Sequence, residues 1–161
     1  MITTPARAIT FARLSDVSKD DILEHMSNPR LAAHMPLLTF KWDHDIVTQF
    51  VAAKEESWHR DGLGHWAILC NGRYVGWGGF QKECDEWDFG LVLKTDAFGL
   101  GPTIVKKAME FARNDDRLPS VTLLLPLSRK NLGALERLGA RWVGEVEYHG
   151  ATFRKFKLDT K

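Results

Sequence analysis

Apolar residues recur along this chain with two periods, and the switches between those periods lay out the elements. ITFARL at residues 9–14 reads as a first strand, and Ser18 stands where an N-cap would open a helix with Asp20 and Asp21 in its first turn. That helix is predicted to end near Ser27-Asn28-Pro29, while the stretch 30–40 fits a short helix followed by a loop. Asp43 is predicted to cap a second helix with apolar positions at Ile46, Val47, Phe50, Val51 and Trp58, closed at Gly62 and Gly64. HWAILC (65–70) and RYVGWGGF (73–80) flank Asn71-Gly72, a pair tolerant of positive φ, and so predict an antiparallel hairpin. A strand WDFGLVL (87–93) leads through KTDAF and GLGP into a helix from Pro102 to Arg113. Its apolar face carries Ile104, Val105, Ala108, Met109, Phe111 and Ala112, with Lys106, Lys107, Glu110 and Arg113 away from it. VTLLLP (121–126) suits a strand buried on both faces. A helix from Asn131 to Leu138 stops at Gly139, and RWVGEVEYHG and ATFRKFKL follow as strands joined near Gly150. Cations at Arg154, Lys155 and Lys157 alternate with Phe153, Phe156 and Leu158, which reads as an edge strand guarded against aggregation. No internal repeat interrupts this α+β order.

Composition narrows the class. A chain of 161 residues, 44% of them hydrophobic, supports one core and one domain over residues 1–161. No window approaches the ~20 apolar residues of a membrane span, and MITTPARAITFARL lacks the apolar region of a signal peptide, so a cytoplasmic protein without membrane contact is expected. Cys70 and Cys84 show no metal or redox spacing and are expected to be reduced, mostly buried thiols. With 22 basic against 21 acidic residues the net charge is +1, which argues against nucleic acid as a partner. The histidines form no H-E-x-x-H, Asp43-His44-Asp45 reads as a helix cap, and no metal is expected. Trp42, Trp77 and Trp87 could border a substrate pocket, although tryptophan more often fills core.

The candidate chemistry lies at the glycine turn. A strand ending in a turn that opens a helix aims backbone N–H groups and a helix dipole at one spot, an arrangement suited to phosphate. A dinucleotide-binding turn would need a third glycine where Ile104 stands, and a nucleoside-triphosphate loop would need Gly-Lys-Ser/Thr where Gly101-Pro102-Thr103 stands. Both are excluded.

Asp96-Ala97-Phe98-Gly99-Leu100-Gly101 resembles the acetyl-CoA signature Gln/Arg-x-x-Gly-x-Gly/Ala of the GCN5-related N-acetyltransferase (GNAT) superfamily, with Asp96 where that family carries a cation or amide. HWAI leading into NGRYVGWGGF is similar to the family's central hairpin, and Ser128-Arg129-Lys130-Asn131 through Leu135-Glu136-Arg137-Leu138-Gly139-Ala140 is similar to its last helix. Within the superfamily the chain resembles the ribosomal-protein N-terminal acetyltransferase group. The resemblance spans about residues 8–158. It implies a mixed, mostly antiparallel sheet of roughly six to seven strands flanked by about four helices. It also implies transfer of acetyl from acetyl-CoA to a primary amine of a small molecule, amino acid or peptide N-terminus, by direct attack on the thioester. Cofactor contacts then fall on Phe98, Gly99, Leu100, Gly101 and Thr103 in the turn, on Leu91, Val92 and Leu93 of the preceding strand, and on Arg129, Lys130 and Asn131 before the last helix. Asp88 is the candidate base, with Glu86 second; the alternative for Asp88 is a solvated acid at a strand end. Leu135 stands where many members carry a tyrosine, and Ser128 is the candidate donor to the leaving thiolate in its place. A non-catalytic acyl-CoA-binding or interaction domain is the alternative function, acetylation of charged transfer RNA is a third, and an exposed strand edge leaves a homodimer open.

Overall fold

The structure, a computed structural model describing residues 8–32, 35, 41–129 and 132–161, turns that pattern into a seven-stranded sheet. The strands are β1 (Ile9–Ala12), β2 (His65–Cys70), β3 (Arg73–Glu83), β4 (Glu86–Leu93), β5 (Ser120–Pro126), β6 (Arg141–Tyr148) and β7 (Ala151–Asp159). The helices are α1 (Lys19–Met26), α2 (Pro29–Ala32), α3 (His44–Asp61), α4 (Gly101–Arg113) and α5 (Gly133–Leu138). The order across the sheet is β1-β2-β3-β4-β5-β7-β6, antiparallel at every junction except β4–β5.

Local chemistry sets the connections. Asn71 and Gly72 both adopt positive φ, 52° and 81°, and His149 and Gly150 do the same at 50° and 83°, so two hairpins close on turns whose twist matches the strands. The Asp43 carboxylate accepts the Ile46 N–H at 2.8 Å to cap α3, and Gly62 ends that helix in the left-handed region. Ser18 occupies the cap position of α1 without a side-chain bond, so Asp20 and Asp21 are left to meet the positive end of the helix dipole.

Side chains alternate between the two faces of the sheet. On one face Trp66, Phe80, Phe89, Val121 and Leu123 pack with Ala108, Met109 and Ala112 of α4. On the other, Ala67 and Trp77 pack with Ile22 and Met26 of α1 and Val47 and Val51 of α3. Leu135 is buried in the α4-side core.

Several expectations are corrected. β7, with Arg154, Lys155 and Lys157, is an interior strand between β5 and β6; the final hairpin folds so that β6 becomes the edge, exposing Trp142 and Val143. β5 is buried on both faces only at Val121 to Leu123, because β4 leaves its side beyond that point. Cys84 is exposed, at φ 56° in the turn between β3 and β4, and Cys70 is half-buried; both thiols are free. In the stretch 30–40, α2 supplies the expected short helix, while residues 33, 34 and 36–40, where the sequence predicts a loop, lie outside the described residues.

Candidate functional site

The two parallel strands separate almost as soon as they meet. β3 and β4 stay in register from Glu83↔Glu86 to Gly76↔Leu93, whereas β4 and β5 share the single pair Asp88↔Thr122. β5 continues along β7 to Pro126. The run from Phe89 to Leu93 is therefore unpaired with β5, although the Leu93 backbone is hydrogen-bonded to His25, and an unpaired strand edge can offer backbone groups to a ligand. Leu91, Val92 and Leu93 border this wedge. The chain then passes through a tight 3-10 turn, Thr95–Leu100, directly into α4.

Gly99 and Gly101 have no structural reason to be glycine. Neither has a positive φ, and a Cβ built on Gly99 meets nothing within 4 Å, while one on Gly101 comes no nearer than 3.9 Å to Leu93. Leu100 at the cap position of α4 offers no capping side chain, and Pro102 follows as a stable helix start. Leu100 is buried and anchors the turn, while Gly99, Thr103 and Phe98 are exposed, Phe98 at 45%. No side chain caps this helix start, although the Gly101 N–H already donates to the Phe98 carbonyl, and the two glycines leave room for a phosphate to approach it.

On the face covered by α1 and α3, Asp88 lies in register between Gln81 of β3 and Thr122 of β5. The Thr122 hydroxyl donates to Asp88 Oδ1 at 2.9 Å. Burial raises the Asp88 carboxyl from its ordinary value to about 7; the Thr122 bond and Lys155 oppose the rise, and the nearby Glu83 and Glu86 charges add to it. Asp88 is thus a half-buried, partnered acid. Glu86 differs: Lys155 Nζ donates to it at 2.6 Å in a half-exposed ion pair. Ser128 and Arg129 are exposed just past β5, at the end of the sheet where β4 also ends, and the Arg129 carbonyl accepts from Arg154. Lys130 and Asn131 lie outside the described residues. Trp42 and Trp77 belong to the core on the Asp88 face, but Trp87 packs against the opposite one, since neighbouring strand residues point to opposite faces.

A network that the sequence reading did not single out adjoins Asp88. Lys54 Nζ of α3 lies 2.9 Å from His65 Nδ1 and donates to Gln81 Oε1 at 3.0 Å. Gln81 donates on to Glu83 at 3.0 Å, and the Tyr148 hydroxyl donates to Glu83 at 3.1 Å. Burial lowers Lys54 to about 8, and burial together with the Lys54 charge pushes His65 well below its ordinary value. Lys54 also sits 4.8 Å from the Trp77 ring centroid. The only local hint in the sequence is a lysine on the apolar side of α3, four residues after Phe50. A separate open cleft of ≈ 390 Å³ lies between the end of α1 and the turn after β4, lined by His25, Asn28, Lys94 and Thr95 among others. His25 Nδ1 there is 2.7 Å from the Tyr74 hydroxyl, and Asn28 donates to Thr95 at 3.1 Å. Among the described residues no helix is long and apolar enough to cross a membrane, and no group of three or more His, Cys, Asp or Glu is arranged to hold a metal ion.

The family description "Acetyltransferase (GNAT) domain" matches residues 9–141. No curated protein sequence matches the chain. Among solved structures, the chain is similar to an acetyltransferase from Agrobacterium tumefaciens, with 15% identity and a TM-score of 0.71 over 98% of this chain and 96% of that one. It is also similar to aminoglycoside acetyltransferase AAC(6')-Ib in complex with coenzyme A, with 15% identity and a TM-score of 0.71 over 96% and 95%. A third is RimL, a ribosomal L7/L12 alpha-N-protein acetyltransferase in complex with coenzyme A, with 12% identity and a TM-score of 0.72 over 94% and 93%. At these identities the structural likeness carries the fold alone.

Proposed function

The chain belongs to the acetyltransferase (GNAT) family, and we propose that it is a cytoplasmic, single-domain N-acetyltransferase in which a primary amine attacks the thioester of acetyl-CoA directly and Asp88 receives the amine's proton. The observation that carries this reading is Asp88 itself, a carboxyl raised to about 7 at the point where β4 parts from β5.

Acetyl-CoA supplies the activated acyl group, and this chain's residues fit it. The start of α4, open at Gly99 and Gly101 and without a side-chain cap, suits the pyrophosphate, assisted by Phe98, Leu100 and Thr103. The β4 edge at Leu91 to Leu93 suits the thioester carbonyl, which needs an N–H donor as negative charge develops on its oxygen. Arg129 is proposed to meet the cofactor's phosphates or pantetheine from the end of β5, as are Lys130 and Asn131.

Magnitudes favour Asp88 over an ordinary acid as base. From an α-ammonium of pKa about 7.7–8.0, transfer to a base near 7 is uphill by about 1 kcal/mol, and from a lysine-like ammonium near 10.4 by about 4.6. A carboxylate at its usual ~3.9 would add about 4 kcal/mol to either step. Glu86, held by Lys155, is the weaker candidate. The leaving thiolate has a pKa near ~8.5 and departs without much help, so the buried aliphatic Leu135 does not prevent transfer; Ser128 is the proposed donor.

The test is Asp88→Asn, assayed by thiol release with a panel of amines and by acetyl-CoA titration. Turnover should fall by about 100-fold or more, the usual contribution of general-base catalysis, with acetyl-CoA affinity near that of the parent. Equal loss of both would give Asp88 a structural role. Acetyl-CoA binding by the parent chain without thiol release to any amine would leave the alternative, a non-catalytic acyl-CoA-binding domain.

A further inference from the structure

His65 opens β2, and the register carries its row across the sheet through Gly79 of β3 to Gly90 of β4. Two glycines in succession put no side chain between the imidazole and β4, and the ring lies across them: a Cβ built on Gly90 would lie 3.8 Å from both Nε2 and Cε1. At its other end the ring meets Lys54, 2.9 Å from Nδ1. An ammonium has donors and no lone pair, so Nδ1 is the acceptor and the proton of the neutral ring sits on Nε2.

The outcome is a fixed N–H donor over Gly90, in a residue 7% exposed, with no hydrogen-bond partner among the described residues. A buried donor left unmet costs about 1–3 kcal/mol, whereas an apolar ring of similar shape would avoid that cost. Lys54 is itself held by Gln81 and by the Trp77 face, so the tautomer is supported by a built network. Asp88 lies two residues from Gly90 on the same face, a spacing of about 6.6 Å along the strand.

We propose that His65 is a specificity-determining residue whose Nε2–H binds an oxygen of the acceptor, carried on the carbon next to the amine-bearing one, while Asp88 engages the amine. Two hydrogen bonds of about 2.9 Å each, with about 3 Å between the substrate's nitrogen and oxygen from covalent geometry, bridge the two rows with room for bend. The shared chemistry is a vicinal amine and oxygen, as in an α-aminoacyl group or a 1,2-amino alcohol. Simple alkyl amines and polyamines lack it. This inference rests on the acetyltransferase reading.

The test compares kcat/KM, corrected for the unprotonated amine, for glycinamide, 2-aminoethanol, propylamine and putrescine with the full chain and acetyl-CoA. The parent should prefer one or both oxygen-bearing amines over propylamine by roughly tenfold, the worth of one buried hydrogen bond; which of the two is preferred tells the aminoacyl source from the amino-alcohol one. In His65→Phe that ratio should collapse toward one, and Lys54→Met, which frees the tautomer, should erode it in the same direction and serves if the first variant does not fold. An unchanged ratio in the folded variants, or equal use of all four amines by the parent, overturns the role of His65 while leaving acetyl transfer standing. Absence of thiol release with every amine, acetyl-CoA still binding, overturns both.

Discussion

Asp88 and Thr122 are the one residue pair that keeps β4 and β5 in register, and the Thr122 hydroxyl donates to the Asp88 carboxylate at 2.9 Å across that junction. The pair therefore fixes where the sheet opens and also holds the group proposed to take the proton. Thr122 is 4% exposed and interior, flanked by β7 at Lys157, so the donor is rigidly placed. A carboxyl fixed at the apex of a wedge has its position set by the fold and its proton affinity set by burial there.

Replacing Thr122 by valine keeps most of the volume and removes the donor. The hydroxyl stabilises the ionised form of Asp88, opposing burial, so Thr122→Val should raise the Asp88 pKa further above about 7. A hydrogen bond to a charged group is worth about 1.5–3 kcal/mol, which corresponds to an upward shift of roughly one to two pH units. The acidic limb of the kcat/KM profile should move up by that amount, with the two proteins converging at high pH. A limb that stays in place, or moves down, refutes Asp88 as the group seen in the profile.

The same residue should cost stability. Asp88 is raised from 3.8 to about 7 in the folded state, so the folded chain keeps a proton that the unfolded chain has released between those values. Stability falls as pH rises through that window. Asp88→Asn cannot ionise, and its amide oxygen can still accept from Thr122, so the variant should be the more stable protein at pH 8. The advantage should shrink steadily toward pH 5. Its upper bound is on the order of 4 kcal/mol, and each kcal/mol moves the melting temperature by about 2–4 °C at this size. Melting curves from pH 5 to pH 8 check it; an advantage that grows as pH falls would refute the assignment.

The parts of this molecule that were legible in the sequence are those whose cause is local. Asn71-Gly72 closes a hairpin because both residues adopt positive φ, and Asp43 caps α3 through an N–H three residues on. The strand-turn-helix at the glycines is likewise contiguous. By contrast, the Thr122 partner of Asp88 is 34 residues away, and Lys54 meets His65 and Gln81 at separations of 11 and 27 residues. Those meetings depend on strand order and on the face α3 covers, which no local spacing encodes. The same holds for Lys155: its alternation with apolar neighbours suggested an edge, but β7 is interior and Lys155 instead pairs with Glu86.

Two glycines separate fold from ligand. A Cβ on Gly78 would lie 2.3 Å from the Gly90 carbonyl oxygen, a backbone atom that cannot step aside, so Gly78→Ala should abolish folding or destabilise severely. A Cβ on Gly99 meets nothing within 4 Å, and alanine in a helical turn gains up to about 1 kcal/mol over glycine. Gly99→Ala should therefore fold as well as the parent or better, and yet bind acetyl-CoA about tenfold more weakly, since a methyl group would keep the pyrophosphate from the backbone. Melting and cofactor titration on the same samples decide it. Unchanged acetyl-CoA affinity in a folded Gly99→Ala variant would remove the turn from the cofactor site.

Asp96 offers the opposite manipulation. It is exposed in the first turn of the 3-10 segment that leads into α4, where its charge complements that segment's dipole but opposes an arriving pyrophosphate. The dipole contact is worth about 0.3–1 kcal/mol. Repulsion from each phosphate charge at about 7 Å in water-like surroundings is near 0.6 kcal/mol, so two such charges outweigh the dipole contact once the cofactor is bound. Asp96→Asn should thus lose a little stability and bind acetyl-CoA several-fold more tightly in dilute buffer. Screening shortens the reach of the charge to about 3 Å at 1 M salt, so the gain should vanish there. Titration at two ionic strengths tests this: weaker binding, or a gain indifferent to salt, would mean that the pyrophosphate does not sit at the head of α4.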